Sequence, residues 1–361
     1  MRLFKCQCCG QVLHFENTAC LRCGRTLGYL PDHDRMVAVE PEGAHWRVVA
    51  APGAVADPTL WRFCHNWELS ACNWMVPADP DQPVEIAWCA ACRHNRTVPD
   101  LSDPDHHARW QRIEAAKRRL IYTLRHLGLT MPVPGDGHPE PLVFDFLADD
   151  PGSVQRVLTG HSGGVVTIAL TEADDSEREG MRERMGEAYR TLLGHFRHEV
   201  GHYYWDILVR DGGALDGFRA MFGDERADYA TALNRHYADG PPVGWEGQHV
   251  SPYATMHPWE DWAETWAHYL HMVDTLETAG ALGMRIDPSL DAGELTARID
   301  FDPYGAGDLR RLVEAWMPLT VALNVLNRSM GQADGYPFVL PQGVQDKLGF
   351  VHDLVRGPRG G

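Results

Sequence analysis

Residues 194–206 read Gly-His-Phe-Arg-His-Glu-Val-Gly-His-Tyr-Tyr-Trp-Asp, and within them His198-Glu199-Val200-Gly201-His202 forms an HExxH pattern. Side chains four apart on a helix point the same way, so two imidazoles can share one zinc ion while the intervening glutamate lies beside it as a general base. That donor set suits metal-assisted hydrolysis. A chain with 19 histidines can produce the pattern from composition alone. The rest of the sequence must therefore supply a helix, a third ligand and a cleft.

Asp174, Asp175 and Ser176 provide helix-start signals ahead of a long periodic run. Tyr189, Leu192, Leu193, Phe196, Val200, Tyr203, Tyr204 and Ile207 fall on one apolar stripe. His195, His198, Glu199, His202 and Asp206 form a polar stripe on another face. A helix apolar on one side and rich in imidazole and carboxylate on the other suits a core helix lining a cleft.

The third ligand is sought by position. The metzincin extension needs Gly at 205 and His at 208, where this chain has Trp205 and Leu208. A second helical stretch, Trp259-Glu260-Asp261-Trp262-Ala263-Glu264-Thr265-Trp266-Ala267-His268, puts Glu260 and Glu264 on one face. Spacing alone lets either acid bind zinc while the other hydrogen-bonds a ligand histidine. His195 and His268 read as neighbours of the site or surface residues, outside the ligand set.

The HEVGH stretch followed by Glu260-Asp261-Trp262-Ala263-Glu264 resembles the gluzincin pattern of thermolysin and lethal-factor-type proteases. The resemblance implies Glu260 as third ligand and Glu264 as partner of His198. Lethal-factor-type enzymes also carry a tyrosine seven residues before the ligand glutamate, where Tyr253 stands here. More widely, the Cys-rich front, HFRHEVGHYYWD and HPWEDWAETWAHYLHMVDT are similar to a bacterial family of zinc-binding metallopeptidases with an N-terminal zinc ribbon. The resemblance implies peptidase chemistry, in which Glu199 deprotonates a water activated by zinc and Tyr253 stabilises the oxyanion. A peptide substrate is expected to pair with a strand edge, for which residues 164–170 are the candidate.

The front of the chain carries a different chemistry. All nine cysteines precede residue 93. Cys6-x-x-Cys9-Gly10 and Cys20-x-x-Cys23-Gly24 are two CxxCG turns ten residues apart, the pattern of a closed four-thiolate structural zinc site. Cys8 is the odd thiol. Cys64, Cys72, Cys89 and Cys92 suggest a second such site, with His65 or His94 able to replace one ligand. The expected cofactor is thus Zn2+, one ion catalytic and two structural. Alternation around Trp46-Arg47-Val48-Val49 predicts short strands between the clusters.

These elements predict an α+β protein. Residues 1–100 form a small zinc-ribbon-like β module and residues 101–361 a mainly helical zincin-type domain with a small sheet. Val98-Pro99-Asp100-Leu101-Ser102-Asp103-Pro104 is the boundary. Arg109 to Leu127 reads as an amphipathic helix whose Arg112, Lys117, Arg118 and Arg119 make a solvated face. Strands are expected at 143–147 and 164–170, a helix from Asp308 through Leu326, and a shorter one after Pro341.

The formal charge of −17 argues against a nucleic-acid binder, despite Arg2, Lys5, Arg22 and Arg25 on the ribbon. There is no apolar run of membrane-spanning length, and MRLFKCQCCG does not read as a secretion signal. The expected compartment is the cytoplasm, which also disfavours disulfides. The expected partner is a peptide or protein substrate, with a protein docking on the front module as a further option. The rival reading is a zinc-stabilised scaffold protein with an inactive HExxH centre.

Overall fold

The computed structural model describes residues 2–55, 57–79, 86–150, 152–154, 156–175, 177–178, 191–289 and 295–357. It is an α+β chain with a sheet-rich zinc-ribbon region in front of a mainly helical one.

The front begins with a short hairpin, β1 (Phe4–Lys5) on β2 (Val12–Leu13). An antiparallel meander follows: β3 (Thr26–Leu30), β4 (Arg35–Glu42), β5 (His45–Val48), β6 (Leu60–Phe63) and β7 (Met75–Pro77). Tyr29 on β3 bridges to Trp74 beside β7, so the meander curls back on itself. Leu30, Val37, Val39, Trp61, Phe63 and Met75 fill one face. Gly28 is needed there, because a Cβ at that position would come within 2.2 Å of the Met75 sulfur. The opposite face packs on the main core, which runs without a break from the cysteine clusters to the helices of the second region.

The second sheet has the order β10-β11-β9-β8, with β8 at Asn95–Thr97, β9 at Val143–Leu147, β10 at Gly160–Ser162 and β11 at Val165–Ala169. Strand β8 comes from the front of the chain and pairs in parallel with β9. Strand β11 lies between β9 and β10, so the stretch 164–170 is interior and offers no free edge. The β-branched run Val165-Val166-Thr167-Ile168 fits that place, since a strand with two neighbours is covered on both sides. Among the described residues the edge on this side is β10.

Seven helices of eight residues or more occur among the described residues: α1 (Pro104–His126), α2 (Leu192–Tyr204), α3 (Leu215–Phe222), α4 (Tyr229–Asp239), α5 (Pro258–Ala281), α6 (Leu309–Ser329) and α7 (Gln342–Arg356). Ser176 and Tyr189 of the expected long helix lie outside the described residues; α2 has its own cap, the Thr191 hydroxyl accepting from the Gly194 amide at 3.0 Å. Past Tyr204 it continues as a π-helix over Trp205–Arg210.

The basic face expected on α1 is only partly solvated. Arg112 is exposed, but Lys117 is fully buried and Arg118 nearly so. Lys117 pairs with the equally buried Glu114 at 2.9 Å, and Arg118 donates to the Ala71 carbonyl. The front module covers this side of α1, which sequence periodicity within the helix does not show. Among the described residues no helix is long and apolar enough to cross a membrane.

Candidate metal centre and active-site cleft

Helices α2 and α5 cross at a close contact, and their facing residues make the site. Gly201 permits the approach, and the Trp262 indole N–H donates to its carbonyl at 2.8 Å. The crossing brings His198 and His202 against Glu260. Ligand atoms of the three lie within 4.8 Å of one another. His198 Nε2 is 3.0 Å from Glu260 Oε2, and His202 Nε2 is 3.5 Å from Glu260 Oε1. Two imidazole nitrogens and a carboxylate converging on one point fit a zinc ion, whose bonds to such donors are about 2.0–2.2 Å.

The other ring nitrogen of His198 lies 2.7 Å from Glu264 Oε1, and the Ser251 hydroxyl donates to Glu264 Oε2 at 2.7 Å. Glu264 is therefore held on both oxygens and faces the back of the imidazole. Glu260 is the acid that converges with both histidines. Burial of His198 disfavours its charged form, but hydrogen bonds and charge from Glu260 and Glu264 outweigh that and raise its pKa well above the ordinary value. Burial pushes Glu260 upward as well; His202 and His198 overcome it and hold the carboxyl well below its usual range. The Trp259 ring packs on His202 at 4.0 Å.

A cleft of about 460 Å³ opens in front of this cluster. Glu199 is half-buried on its wall, with Tyr253, His195 and His268 among the other lining residues. The Tyr253 ring lies 6.0 Å from that of His198. His195 faces Glu172 at 2.8 Å and His268 binds the Tyr336 hydroxyl at 2.8 Å, so neither joins the metal cluster.

Two participants carry no signal in the sequence. Ser251 anchors Glu264. Tyr229, at the start of α4, donates its hydroxyl proton to Glu260 Oε1 at 2.9 Å. It stands 31 residues before Glu260 in a stretch with no motif, and nothing in its spacing points to the contact.

Both cysteine groups assemble. Cys6, Cys9, Cys20 and Cys23 bring their sulfurs within 4.8 Å, as do Cys64, Cys72, Cys89 and Cys92. Sulfur pairs stand 3.6 Å apart (Cys9–Cys20), 3.9 Å (Cys6–Cys23) and 3.7 Å (Cys72–Cys89). Those separations are far beyond a disulfide bond and match the edge of about 3.8 Å of a tetrahedron with 2.3 Å Zn–S bonds. All nine thiols are free. Cys8 stays outside both groups, His94 Nδ1 bonds the Leu142 carbonyl at 2.8 Å, and the His65 ring packs on Trp88, so neither histidine replaces a thiolate.

The chain matches a zinc-ribbon domain over residues 3–103 and a family described as "Putative zinc-binding metallo-peptidase" over residues 106–354. It is 42% identical over 358 residues to proteins named as uncharacterized from Mycobacterium bovis and from two strains of Mycobacterium tuberculosis. The alignment covers 98% of this chain and 95% of each relative. No solved structure matches it. With a family match over most of its length and a cysteine-rich ribbon in front, the chain belongs to the zinc-binding metallo-peptidase family.

Proposed function

We propose that the protein is a zinc metallopeptidase of the gluzincin type that hydrolyses a peptide or amide bond. The observation that carries this reading is the convergence of His198, His202 and Glu260 at a cleft whose wall holds Glu199. Zinc held by those three residues would supply a Lewis acid that polarises the scissile carbonyl and makes a water more acidic.

The rest is done by the chain itself. Glu199 accepts the proton of the attacking water and returns it to the departing amine. Glu264 fixes the tautomer and direction of His198, leaving Nε2 for the metal. The Tyr253 hydroxyl donates to the oxyanion as charge develops. An extended peptide pairs with β10, the edge strand that the sheet leaves next to the cleft, and residues 157–159 just before it line the cleft wall.

Each four-cysteine group would hold one structural zinc, giving three ions per chain. Free thiols throughout suit a reducing compartment such as the cytoplasm.

Glu199→Gln tests the reading. The variant keeps its zinc and loses hydrolysis of a peptide that the wild-type chain cleaves, by roughly two orders of magnitude or more. Full activity with bound zinc removes Glu199 as the base.

A further inference from the structure

Helix α4 forms one wall of the cleft, yet little apolar packing holds it. Of its eleven residues only Ala232 is buried. The Asp228 carboxylate caps its start by accepting from the Thr231 amide at 2.7 Å, and Gly240, at φ 73°, turns the chain sharply at its end. A short helix with so little burial is not fixed by a core.

Polar contacts at its first residue hold it instead. The Tyr229 hydroxyl donates to Glu260 Oε1 at 2.9 Å. Its ring lies 5.4 Å from that of His257, and the His257 side chain meets the Ala227 carbonyl at 3.0 Å. His257 in turn caps the helix that carries Glu260, through its Nδ1 and the Trp259 amide. Farther along α4, Leu233, His236 and Tyr237 line the cleft on the same side as Tyr229.

A phenol has one proton to give, and that of Tyr229 is committed to Glu260 Oε1. One carboxylate oxygen of Glu260 is thereby tied, while Oε2 faces His198 Nε2 at 3.0 Å.

We propose that Tyr229 is a positioning residue that holds the Glu260 carboxylate in its ligand orientation, and so couples the seating of α4 to the readiness of the metal centre. The inference rests on the metal-centre reading above. Tyr229 acts through Glu260 and performs no chemical step of its own.

The test is chelator competition on the full-length chain, following the zinc that His202→Ala lacks and the cysteine sites retain. Tyr229→Phe keeps the ring and removes the hydroxyl. It weakens that zinc roughly ten- to hundredfold, the range for outer hydrogen-bond partners of metal ligands, with the melting temperature of the zinc-free form unchanged. Zinc affinity within about twofold of wild type in Tyr229→Phe overturns the inference. If the wild-type chain holds no zinc that His202→Ala loses, the metal-centre reading falls and this one with it. If that zinc is present and Tyr229→Phe binds it normally, only the role of Tyr229 falls.

Discussion

Gly201 lies against Ala263 so closely that a Cβ on the glycine would stand 3.1 Å from the Ala263 Cα and 3.1 Å from the Trp266 ring. The x-x positions of the HExxH pattern therefore carry their own constraint. Val200 packs into the core, and Gly201 sets how near the ligand helices come. Gly201→Val is expected to destabilise the fold by about 1–3 kcal/mol through overpacking. Because the helices must separate, it also lowers zinc at the His198–His202 site. Thermal unfolding and metal analysis check both; a variant as stable and as zinc-loaded as wild type contradicts this account of the crossing.

Glu260 and Glu264 are separable by their failure modes. Glu260→Ala removes a donor from the cluster and is expected to abolish tight binding at that site. Glu264→Ala leaves all three donors but frees the back of His198, so zinc binds roughly ten- to hundredfold more weakly. Titration with a competing chelator distinguishes them. Equal, complete loss in both variants would place Glu264 in the ligand set after all.

Three zinc ions per chain are expected by elemental analysis. Cys9→Ser and Cys72→Ser each remove one, because each takes a sulfur from a four-thiolate group. Cys8→Ser removes none. Since both groups are built into the continuous main core, loss of either zinc also lowers the unfolding temperature of the entire chain. A count of one in wild type rules out the structural zincs.

Stability falls on acidification through buried histidine. Burial holds the pKa of His268 down to about 4, whereas the unfolded chain binds that proton near 6.5. Between those values the unfolded state carries more protons, so stability is full above about pH 6.5 and is lost as pH falls toward 4. The span corresponds to about 3 kcal/mol at most for this residue. His268→Gln should therefore show a shallower decline of melting temperature than wild type between roughly pH 7 and 4.5. Parallel declines would remove His268 as a contributor.

Much of the architecture is legible in the sequence because local rules and tertiary need agree. The CxxCG turns, the α1 periodicity and the strand at 143–147 all appear near their expected bounds. The departures share one cause, which is contact between segments distant in sequence. Periodicity within α1 assigns Lys117 to a solvated face, whereas the front module covers both Lys117 and its partner Glu114. The β-branched run at 164–170 identifies a strand but not its neighbours, because pairing order is not encoded in a strand's own residues, and among the described residues the edge beside it is β10.

The sequence by itself determined which residues have the donor types and spacing that metal chemistry needs. Donor type and i,i+4 or CxxC spacing are local properties, set by helix pitch and tight-turn geometry. Only the tertiary structure separates Glu260 from Glu264 in space, since both share a face of α5 and the crossing with α2 alone brings one to Nε2 and the other to Nδ1 of His198. It alone brought Tyr229 to Glu260 as well, because a contact made across a loosely packed helix leaves no periodic trace in the chain.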